Sequence, residues 1–277
     1  MKKNLKFYLK AVLSGKELAL MPTSFDVVGD IMIFADFPKK LAKKEKKIAE
    51  TILKNYRHVK VVTKKTRQYS GVFRVPKLKI IGGEKRKETT HKENGILLAL
   101  DVEKVYFSPR LGAERQRIVK LVRPSESVLV MFSGCGPYVI EIAKHTKAKE
   151  VYGVEINPLG HTYALINAKK NKVEAKTHLY RGDAKKITPA LKKKFDRILM
   201  PLPKTAGDFL GTALRAVKNG GVIHFYDFAE KSELDLTKQK VLDACKKAGK
   251  RCKILDVVQC GQYSPGHYRV CVDFIAE

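Results

Sequence analysis

The segment SVLVMFSGCGPYVIEIAKHTKAKEVYGVEINP, Ser127 to Pro158, decides the fold of the larger part of the chain. Its apolar run from Val128 to Phe132 predicts a buried strand. The glycines of Ser133–Gly136 predict a tight turn, and Pro137 suits the first turn of a helix, where its missing N–H costs nothing. Such a turn lets a ligand approach the backbone closely and offers it the free N–H groups of the helix N-terminus.

The second half of this segment contains an acidic residue whose spacing from the glycine turn indicates a nucleoside site. A second apolar run, Val151 to Val154, ends in Glu155, 21 residues after Gly134. That is near the spacing expected of a βαβ unit in which a carboxylate accepts the ribose hydroxyls of a nucleoside. A pair of glycines can be no more than a turn, but the acid at this distance favours a nucleoside site. Val139 occupies the position where a dinucleotide fingerprint has its third glycine, so NAD is disfavoured relative to S-adenosylmethionine.

Strand and helix patterns alternate from Phe107 onward, which predicts a mostly parallel sheet. The predicted strands are 127–132, 150–154, 177–180, 195–200, 221–226, 252–260 and 267–275. The predicted helices are 111–122, 137–145, 158–171, 205–217 and 233–248. The last two strands have no helix between them, which is typical of the seven-stranded, Rossmann-like α/β sheet of class I methyltransferases. Because ligands bind at the carboxyl ends of such strands, four strand ends are predicted to converge on the cofactor: Ser133–Gly136, Glu155, Asp183 and Pro201–Lys204.

The chain before this sheet is predicted to form a smaller module. We expect a helical leader over residues 1–23, a small α+β domain for RNA binding over 24–102, and the catalytic domain over 103–277. In the small domain Ser24–Phe34 reads as strand around a Gly29–Asp30 turn, and Lys39–Asn55 as an amphipathic helix. Short strands are predicted at Val59–Val62, Gly71–Val75, Leu78–Ile81, Thr89–Lys92 and Ile96–Leu100.

Charge and composition bound the class of protein. The 56 Lys and Arg against 28 Asp and Glu give a formal net charge of +28, which favours a polyanionic partner such as nucleic acid. The sequence has no apolar stretch long enough to span a bilayer and no recognisable signal peptide, so we expect a cytoplasmic protein. Its five cysteines lack paired spacing and are interpreted as reduced thiols, without a bound metal.

Nine blocks of sequence together resemble the archaeal and eukaryotic tRNA (guanine-N1)-methyltransferases, which act on the guanine 3′ of the anticodon, position 37. The blocks follow the family order and cover roughly residues 24–277. They are SFDVVGD (24–30), GVFRVPKL (71–78), THKENG (90–95), VYFSPRLGAER (105–115), MFSGCGPY (131–138), INP (156–158), MPLPKTAGDFL (200–210), GGVIHFYDF (220–228) and SPGHYRVCVDF (264–274).

The resemblance implies a set of functional residues. Glu114 is the expected base for the N1 proton and Arg74 the expected stabiliser of charge on O6. Tyr106, Arg110, Arg115, Pro203 and Lys204 are expected in the tRNA site. S-adenosylmethionine is expected to contact Phe132, Ser133, Gly134, Gly136, Glu155, Ile156, Asp183, Ala184 and Pro201. The resemblance also implies tRNA as partner, bound through its anticodon stem-loop, and we expect a monomer without a metal.

Simpler roles stay open for several of these residues. Arg110 and Glu114, four residues apart, could form an ordinary exposed ion pair. Asp183 could be the cap of a following helix, and Lys204 could be solvated. Two departures from the family are also expected to matter. The family's additional N-terminal domain, which contacts the outer corner of tRNA, looks absent, and Pro201 stands where the family commonly has an Asn that holds the target base.

Two other functions compete with methylation of guanine N1. A wyosine-pathway enzyme would transfer an aminocarboxypropyl group, or methylate a tricyclic base, at the same nucleotide. A non-catalytic RNA-binding relative would keep the fold without the chemistry. Retention of both Glu114 and Arg74 argues against the RNA-binding relative, and SPRLGAER and the Pro-Leu-Pro block at 201–203 favour methyl transfer.

Overall fold

The computed structural model of the protein describes residues 4–202, 205–264 and 266–277. The chain forms two compact units. The smaller comprises Met1–Lys92 and Ala99–Pro109, and the larger comprises Glu93–Leu98 and Arg110–Glu277. The domain limits expected at residues 23 and 102 stay predictions. No helix in the described ranges is long and apolar enough to cross a membrane.

From residue 4 onward, where its description begins, the smaller unit combines three α-helices with a four-stranded mixed sheet. Its helices are α1 (Leu5–Leu9), α2 (Gly15–Leu20) and α3 (Glu45–Asn55), the last preceded by a 3₁₀ turn at Lys39–Lys44. Its strands are β1 (Asp26–Val28), β2 (Ile31–Phe34), β3 (Val61–Ser70) and β4 (Val75–Gly83), in the order β1-β2-β3-β4. A two-stranded hairpin of β5 (Glu88–Glu93) and β6 (Ile96–Asp101) follows. The Gly29–Asp30 turn is confirmed, but the strand predicted over Gly71–Val75 is wrong, because Gly71 to Arg74 form the β3–β4 turn.

An apolar helix face holds this unit together. Ile48, Ala49 and Ile52 lie on one side of α3 and are completely buried. They share a core with Leu5 and Leu9 of α1. Burying each large aliphatic side chain stabilises the unit by about 1.5–3 kcal/mol. The predicted amphipathic helix therefore serves as the support of this sheet, while its lysines stay at the surface.

The larger unit contains the predicted seven-stranded sheet. Its strands are β7 (Ser127–Met131), β8 (Glu150–Glu155), β9 (Thr177–Arg181), β10 (Phe195–Met200), β11 (Val217–Glu230), β12 (Cys252–Ser264) and β13 (His267–Ala276). The strand order is β12-β13-β11-β10-β7-β8-β9. Strands β7 to β11 pair in parallel, whereas β13 runs antiparallel to both β11 and β12. This topology confirms the predicted α/β fold.

Within the part of this unit that the structure describes, six α-helices accompany the sheet. They are α4 (Gly112–Leu121), α5 (Pro137–His145), α6 (Pro158–Lys170), α7 (Ala184–Ala190), α8 (Leu210–Ala216) and α9 (Leu234–Lys247). Helix α7 was not predicted, because it is only seven residues long and contains Pro189. The helix predicted over 205–217 is split into a 3₁₀ turn at Ala206–Phe209 and α8. All five residues of β7 are buried, as expected for a central parallel strand.

A buried charge cluster ties α4 and α5 to residues 93–94. Arg115 donates to both carboxylate oxygens of Glu93 at 2.6 Å, and its Nε lies 3.5 Å from Oε1 of Glu141. Asn94 donates to both oxygens of Glu141, at 3.1 and 3.2 Å. Glu141 is completely buried, and this burial raises the pKa of its carboxyl to about 8, against the opposing effect of Arg115.

We expect Glu141→Gln to stabilise the protein at pH 8 and to have little effect near pH 4.5. The folded protein keeps a proton on Glu141 that the unfolded chain releases above about pH 4.5, so wild-type stability falls as pH rises from there towards 8. Gln cannot ionise and keeps an acceptor for Asn94. Thermal unfolding should therefore show a Tm gain of roughly 2–4 °C or more at pH 8, equivalent to about 1 kcal/mol. Glu174→Gln, at an exposed carboxylate, is the control; a wild-type–variant difference that is flat from pH 5 to 8 would contradict the expectation.

Candidate active site

The turn between β7 and α5 has a backbone that only glycine adopts easily. Gly134 and Gly136 have φ of +57° and +87°, which explains why both positions are glycine. Phe132 has φ of +62°, a sparsely populated conformation for an aromatic residue. Its ring packs edge-on against Phe209 with centroids 4.7 Å apart. Unusual backbone of this kind, at the carboxyl end of the central strand, is typical of functional sites.

Glu155 connects this turn to the tip of the neighbouring strand. Its Oε2 accepts from the Gly134 N–H at 2.6 Å and its Oε1 from the Asn157 N–H at 2.7 Å. The side chain is almost fully buried, and burial raises the pKa of its carboxyl even though backbone N–H groups favour the charged form. A carboxylate has about four acceptor sites, and the N–H groups of Gly134, Asn157 and Ile156 take three of them, so Glu155 retains one site for a ribose hydroxyl.

We expect Glu155→Ala to weaken binding of S-adenosylmethionine by about 1–3 kcal/mol, or about 5–150-fold in Kd. The substitution removes the acceptor for ribose and also releases the Gly134 and Asn157 N–H groups. Calorimetry measures the effect. Glu155→Gln, which keeps one acceptor oxygen and the shape, should lie between wild type and Ala. Unchanged affinity in the Ala variant would show that the cofactor lies elsewhere.

The other predicted cofactor residues occupy neighbouring strand ends. Asp183 is the N-cap of α7, its Oδ1 accepting from the Lys185 N–H at 2.8 Å, so the simpler role considered for it is real. Ala184 is buried in the first turn of the same helix. Ile156, next to Glu155, is 39% exposed and offers apolar surface to a base. Pro201 is half-buried directly after β10.

Two predicted residues, Pro203 and Lys204, lie outside the described residues, and their assignment to the tRNA site stays a prediction. The donor set that is described fits S-adenosylmethionine. It combines a carboxylate for the ribose, exposed aliphatic surface beside it, and a glycine turn for close approach.

Two asparagines fix the cofactor turn and were missed in the sequence. Asn157 caps α6 by accepting from the Leu159 N–H at 3.1 Å. Asn167 is buried in α6, and its Nδ2 donates to the Cys135 carbonyl at 2.9 Å. A buried amide can only be tolerated with such a partner, so an Asn within an otherwise apolar helical turn is the signal that could have revealed it.

Glu114 lies near the start of α4 and is 4% exposed. Its Oε2 accepts from Arg117 Nε at 2.7 Å, and its Oε1 accepts from Arg117 Nη2 at 2.8 Å and from the Tyr226 hydroxyl at 2.6 Å. The exposed pair with Arg110 that was considered is not formed by Glu114, whose partner is Arg117 at i+3. One acceptor site on Oε2 remains, which makes Oε2 the oxygen available to a substrate proton.

Arg110 and Arg115 occupy very different environments. Arg110 belongs to the 3₁₀ turn Pro109–Leu111 before α4 and is exposed, so the predicted common helical face with Glu114 is wrong. Arg115 is 2% exposed and binds Glu93. Its guanidinium also lies 5.9 Å from the centroid of the Tyr138 ring. These contacts give Arg115 a structural role, and contact with tRNA stays a prediction for both arginines.

Arg74 and Tyr106 belong to the smaller unit. Arg74 ends the β3–β4 turn, its N–H donating to the Gly71 carbonyl at 3.2 Å, and has φ of +51°. A non-glycine residue in this conformation is uncommon and costs of order 1 kcal/mol or more, which favours a functional reason for it. Tyr106 packs edge-on against Tyr69 with ring centroids 5.2 Å apart.

The fold and this site define the class of protein: a nucleoside-dependent class I transferase with a seven-stranded sheet. Comparison with known proteins gives the family. A model of the TRM5/TYW2 methyltransferase domain matches residues 89–255, and one of the TYW2 N-terminal domain matches residues 5–86. The chain belongs to the TRM5/TYW2 methyltransferase family.

Individual relatives differ in the reaction that their names record. The chain is 38% identical over 255 residues to the tRNA (guanine(37)-N(1))-methyltransferase Trm5b of Pyrococcus abyssi, covering 92% of this chain and 75% of that protein. It is 33% identical to the tRNA (guanine(37)-N(1))/4-demethylwyosine(37)-methyltransferase Taw22 of Nanoarchaeum equitans, covering 79% and 89%. A solved complex of aTrm5 and tRNALeu has a TM-score of 0.85 and 34% identity, covering 99% of this chain and 78% of that one.

Proposed function

We propose that the protein transfers a methyl group from S-adenosylmethionine to N1 of the guanine 3′ of the tRNA anticodon, position 37. The observation that carries this proposal is the Glu114 carboxylate. It is buried in the unit that carries the cofactor site, fixed by Arg117 and Tyr226, and retains an acceptor site on Oε2. The family to which the chain belongs, and the substrate in the name of its 38% identical relative, support the same reaction.

The chemistry requires little beyond these residues. Guanine N1 carries a proton at neutral pH, so methylation requires a base, for which we propose Glu114 Oε2. Negative charge grows on O6 as that proton leaves, and we propose that the Arg74 guanidinium stabilises it. S-adenosylmethionine would supply an electrophilic methyl group when held by Glu155, Asp183 and the glycine turn. Because Glu114 is only 4% exposed, guanine binding must be accompanied by local rearrangement around Oε2.

The proposed partner is tRNA, bound through its anticodon stem-loop. The formal charge of +28 gives a field that attracts the phosphate backbone. Tyr106, Arg110, Arg115, Pro203 and Lys204 are the residues that we propose for this site. We further propose that the protein acts as a monomer in the cytoplasm and that its chemistry uses no metal.

A second reaction, methylation of a wyosine intermediate at the same nucleotide, is favoured by two observations. The Nanoarchaeum relative carries 4-demethylwyosine in its name, and Pro201 supplies no side-chain donor or acceptor to define guanine. A base held by backbone groups after β10 would be recognised less strictly than one held by a side-chain amide.

Transfer of labelled methyl groups to tRNA transcripts tests the proposed function. A transcript with guanine at position 37 should be methylated, and the same transcript with adenine there should not. Equal labelling of both transcripts would place the modification elsewhere and refute the proposal. A purified tRNA that carries 4-demethylwyosine tests the second reaction in the same assay.

A further inference from the structure

A continuous polar network lies behind Glu114 inside the larger unit. Arg117 contacts two carboxylates at once: it donates to Glu114, and its Nη1 donates to Asp273 Oδ2 at 2.5 Å. Asp273 Oδ1 also lies 2.6 Å from His224 Nδ1, and His224 Nε2 lies 2.7 Å from Arg197 Nη1. Arg197 in turn pairs with Glu126. His224, Asp273 and Glu114 are each at most 4% exposed.

The sheet register explains why these residues meet. His224 on β11 is directly opposite Asp273 on β13, and Tyr226 is opposite Cys271. Since side chains alternate along a strand, His224 and Tyr226 project from the same face, as do Asp273 and Cys271. Tyr226 donates to Glu114 from this face.

The hydrogen-bond directions in this network are fixed by chemistry. A guanidinium has no acceptor, so His224 Nε2 must accept from Arg197, and the ring proton must sit on Nδ1 and be donated to Asp273. Burial lowers the pKa of His224 against the opposing effect of Asp273, and the charges of Arg197 and Arg117 act in the same direction as burial, so the ring is neutral. Hydrogen bonds from His224 and Arg117 outweigh burial and lower the pKa of Asp273, which stays ionised.

A metal ion is a poor occupant of this network. Ligand-type atoms of His224, Cys271 and Asp273 lie within 4.8 Å of one another. Two of these residues are already bound by Arg197 and Arg117, whose positive charges oppose a cation at the same place.

We propose that Arg117 and Asp273 are positioning residues that set the orientation and charge of Glu114. This inference rests on the proposed function, in which Glu114 is the base. The bidentate Arg117 fork takes one acceptor site on each Glu114 oxygen and the Tyr226 hydroxyl takes the second site on Oε1, so that only Oε2 has a site left for the guanine proton. Asp273 accepts from the same guanidinium at 2.5 Å and so holds the fork in the place from which it orients Glu114.

Ionisable groups approach Glu114 from five elements of the larger unit. They are Arg117 on α4, Tyr138 on α5, Tyr226 on β11, Cys260 on β12, and Cys271 and Asp273 on β13. Burial raises the pKa values of Tyr138, Tyr226, Cys260 and Cys271, so these four are neutral near pH 7. The two charges that act on Glu114 among these groups are therefore those of Arg117 and Asp273.

The test compares the pH dependence of single-turnover methylation in two variants. The acid limb is the low-pH part of the profile, where the rate falls with pH, and the plateau rate is the constant rate above it. Asp273→Asn removes the negative partner of Arg117, so the acid limb of the pH–rate profile should move about one pH unit lower. Arg117→Gln removes the positive partner, so the limb should move about one unit higher. Both plateau rates should fall about tenfold or more, because the carboxylate is less well oriented, while KM for tRNA changes little.

Matched controls separate positioning from general damage. Asp235→Asn and Arg251→Gln remove the same charges from exposed sites and should leave the limbs in place. Arg117→Lys keeps the charge without the fork, so it should lower the plateau rate and restore the limb towards wild type. Cofactor calorimetry shows whether Arg117→Gln folds. If it does not, the inference is tested by the lower acid limb expected of Asp273→Asn and by the lower plateau rate expected of Arg117→Lys.

The inference is supported if the acid limb moves to lower pH in Asp273→Asn and to higher pH in Arg117→Gln. Limbs that stay at the wild-type pH, or that move in the same direction, overturn it while leaving the proposed function intact. A wild-type protein that methylates no guanine N1 overturns the proposed function instead. In that case the NMR signal of the Glu114 carboxyl carbon, identified by its loss in Glu114→Gln, should still move in Asp273→Asn and Arg117→Gln and should not move in the two control variants.

Discussion

Glu114→Gln should reduce the single-turnover rate of guanine methylation by about 10²–10⁴-fold, while the affinities for tRNA and S-adenosylmethionine change little. Gln has nearly the size of Glu but cannot accept the N1 proton. The loss should appear in the chemical step, because Glu114 is only 4% exposed and contributes little to the binding area. Rapid-quench measurement with saturating enzyme isolates that step.

The variant needs a control for the network around it. Gln leaves one of the donors of Arg117 without a carboxylate oxygen, so part of any effect could come from disturbed packing. Thermal unfolding and cofactor calorimetry on the same protein detect such damage. A well-folded Glu114→Gln protein that methylates at nearly the wild-type rate would show that the proton leaves by another route.

Arg74→Ala should cost about 10²–10³ in the same single-turnover rate, because it removes the cation that we assign to the growing charge on O6. Arg74 has φ of +51°, and Ala is no better suited to that conformation than Arg, so the backbone strain is unchanged. The measured loss then reports the guanidinium rather than the turn.

Two further variants sharpen this result. Arg74→Gly relieves the strain but also lacks the guanidinium, so it should be as slow as Arg74→Ala. Arg67→Ala removes an exposed arginine from the adjoining strand β3 and should affect tRNA binding more than the chemical step. Recovery of the rate in Arg74→Gly would mean that the shape of the turn, and not the charge, is what the reaction requires.

Local patterns predicted the catalytic fold well because several independent signals agreed. The segment Ser127–Pro158 combines a fully apolar strand, two glycines that have positive φ, a proline at the first helical position and an acid at the next strand end. Each is a short-range constraint that a single sequence displays. The topology of the last two strands was also predictable, since no helical pattern separates them.

Two segments were predicted less well. Gly71–Val75 is rich in apolar residues, yet the positive φ of Gly71 and Arg74 makes its first four residues a turn. Helix α7 is short and contains a proline, so its periodicity was too weak to detect.

In the candidate active site too, local spacing predicted some features and missed others. Glu155 could be placed at a strand end from its spacing, but its bonds to the Gly134 and Asn157 N–H groups could not. Glu114 was expected to act with Arg110 nearby in sequence, whereas its ion pair is with Arg117 and its network extends to Asp273, 159 residues further along the chain. Residues that are far apart in sequence and become neighbours through the register of the sheet, such as Arg117 and Asp273, cannot be paired from a single sequence.

Mass spectrometry of the modified nucleoside tests the central claim most directly. An unmodified tRNA transcript is incubated with the protein and S-adenosylmethionine, digested, and compared with synthetic methylguanosines, and the modified fragment is mapped. We predict 1-methylguanosine, confined to the nucleotide 3′ of the anticodon. A methyl group on another atom or another nucleotide, or an aminocarboxypropyl adduct in its place, would contradict the account.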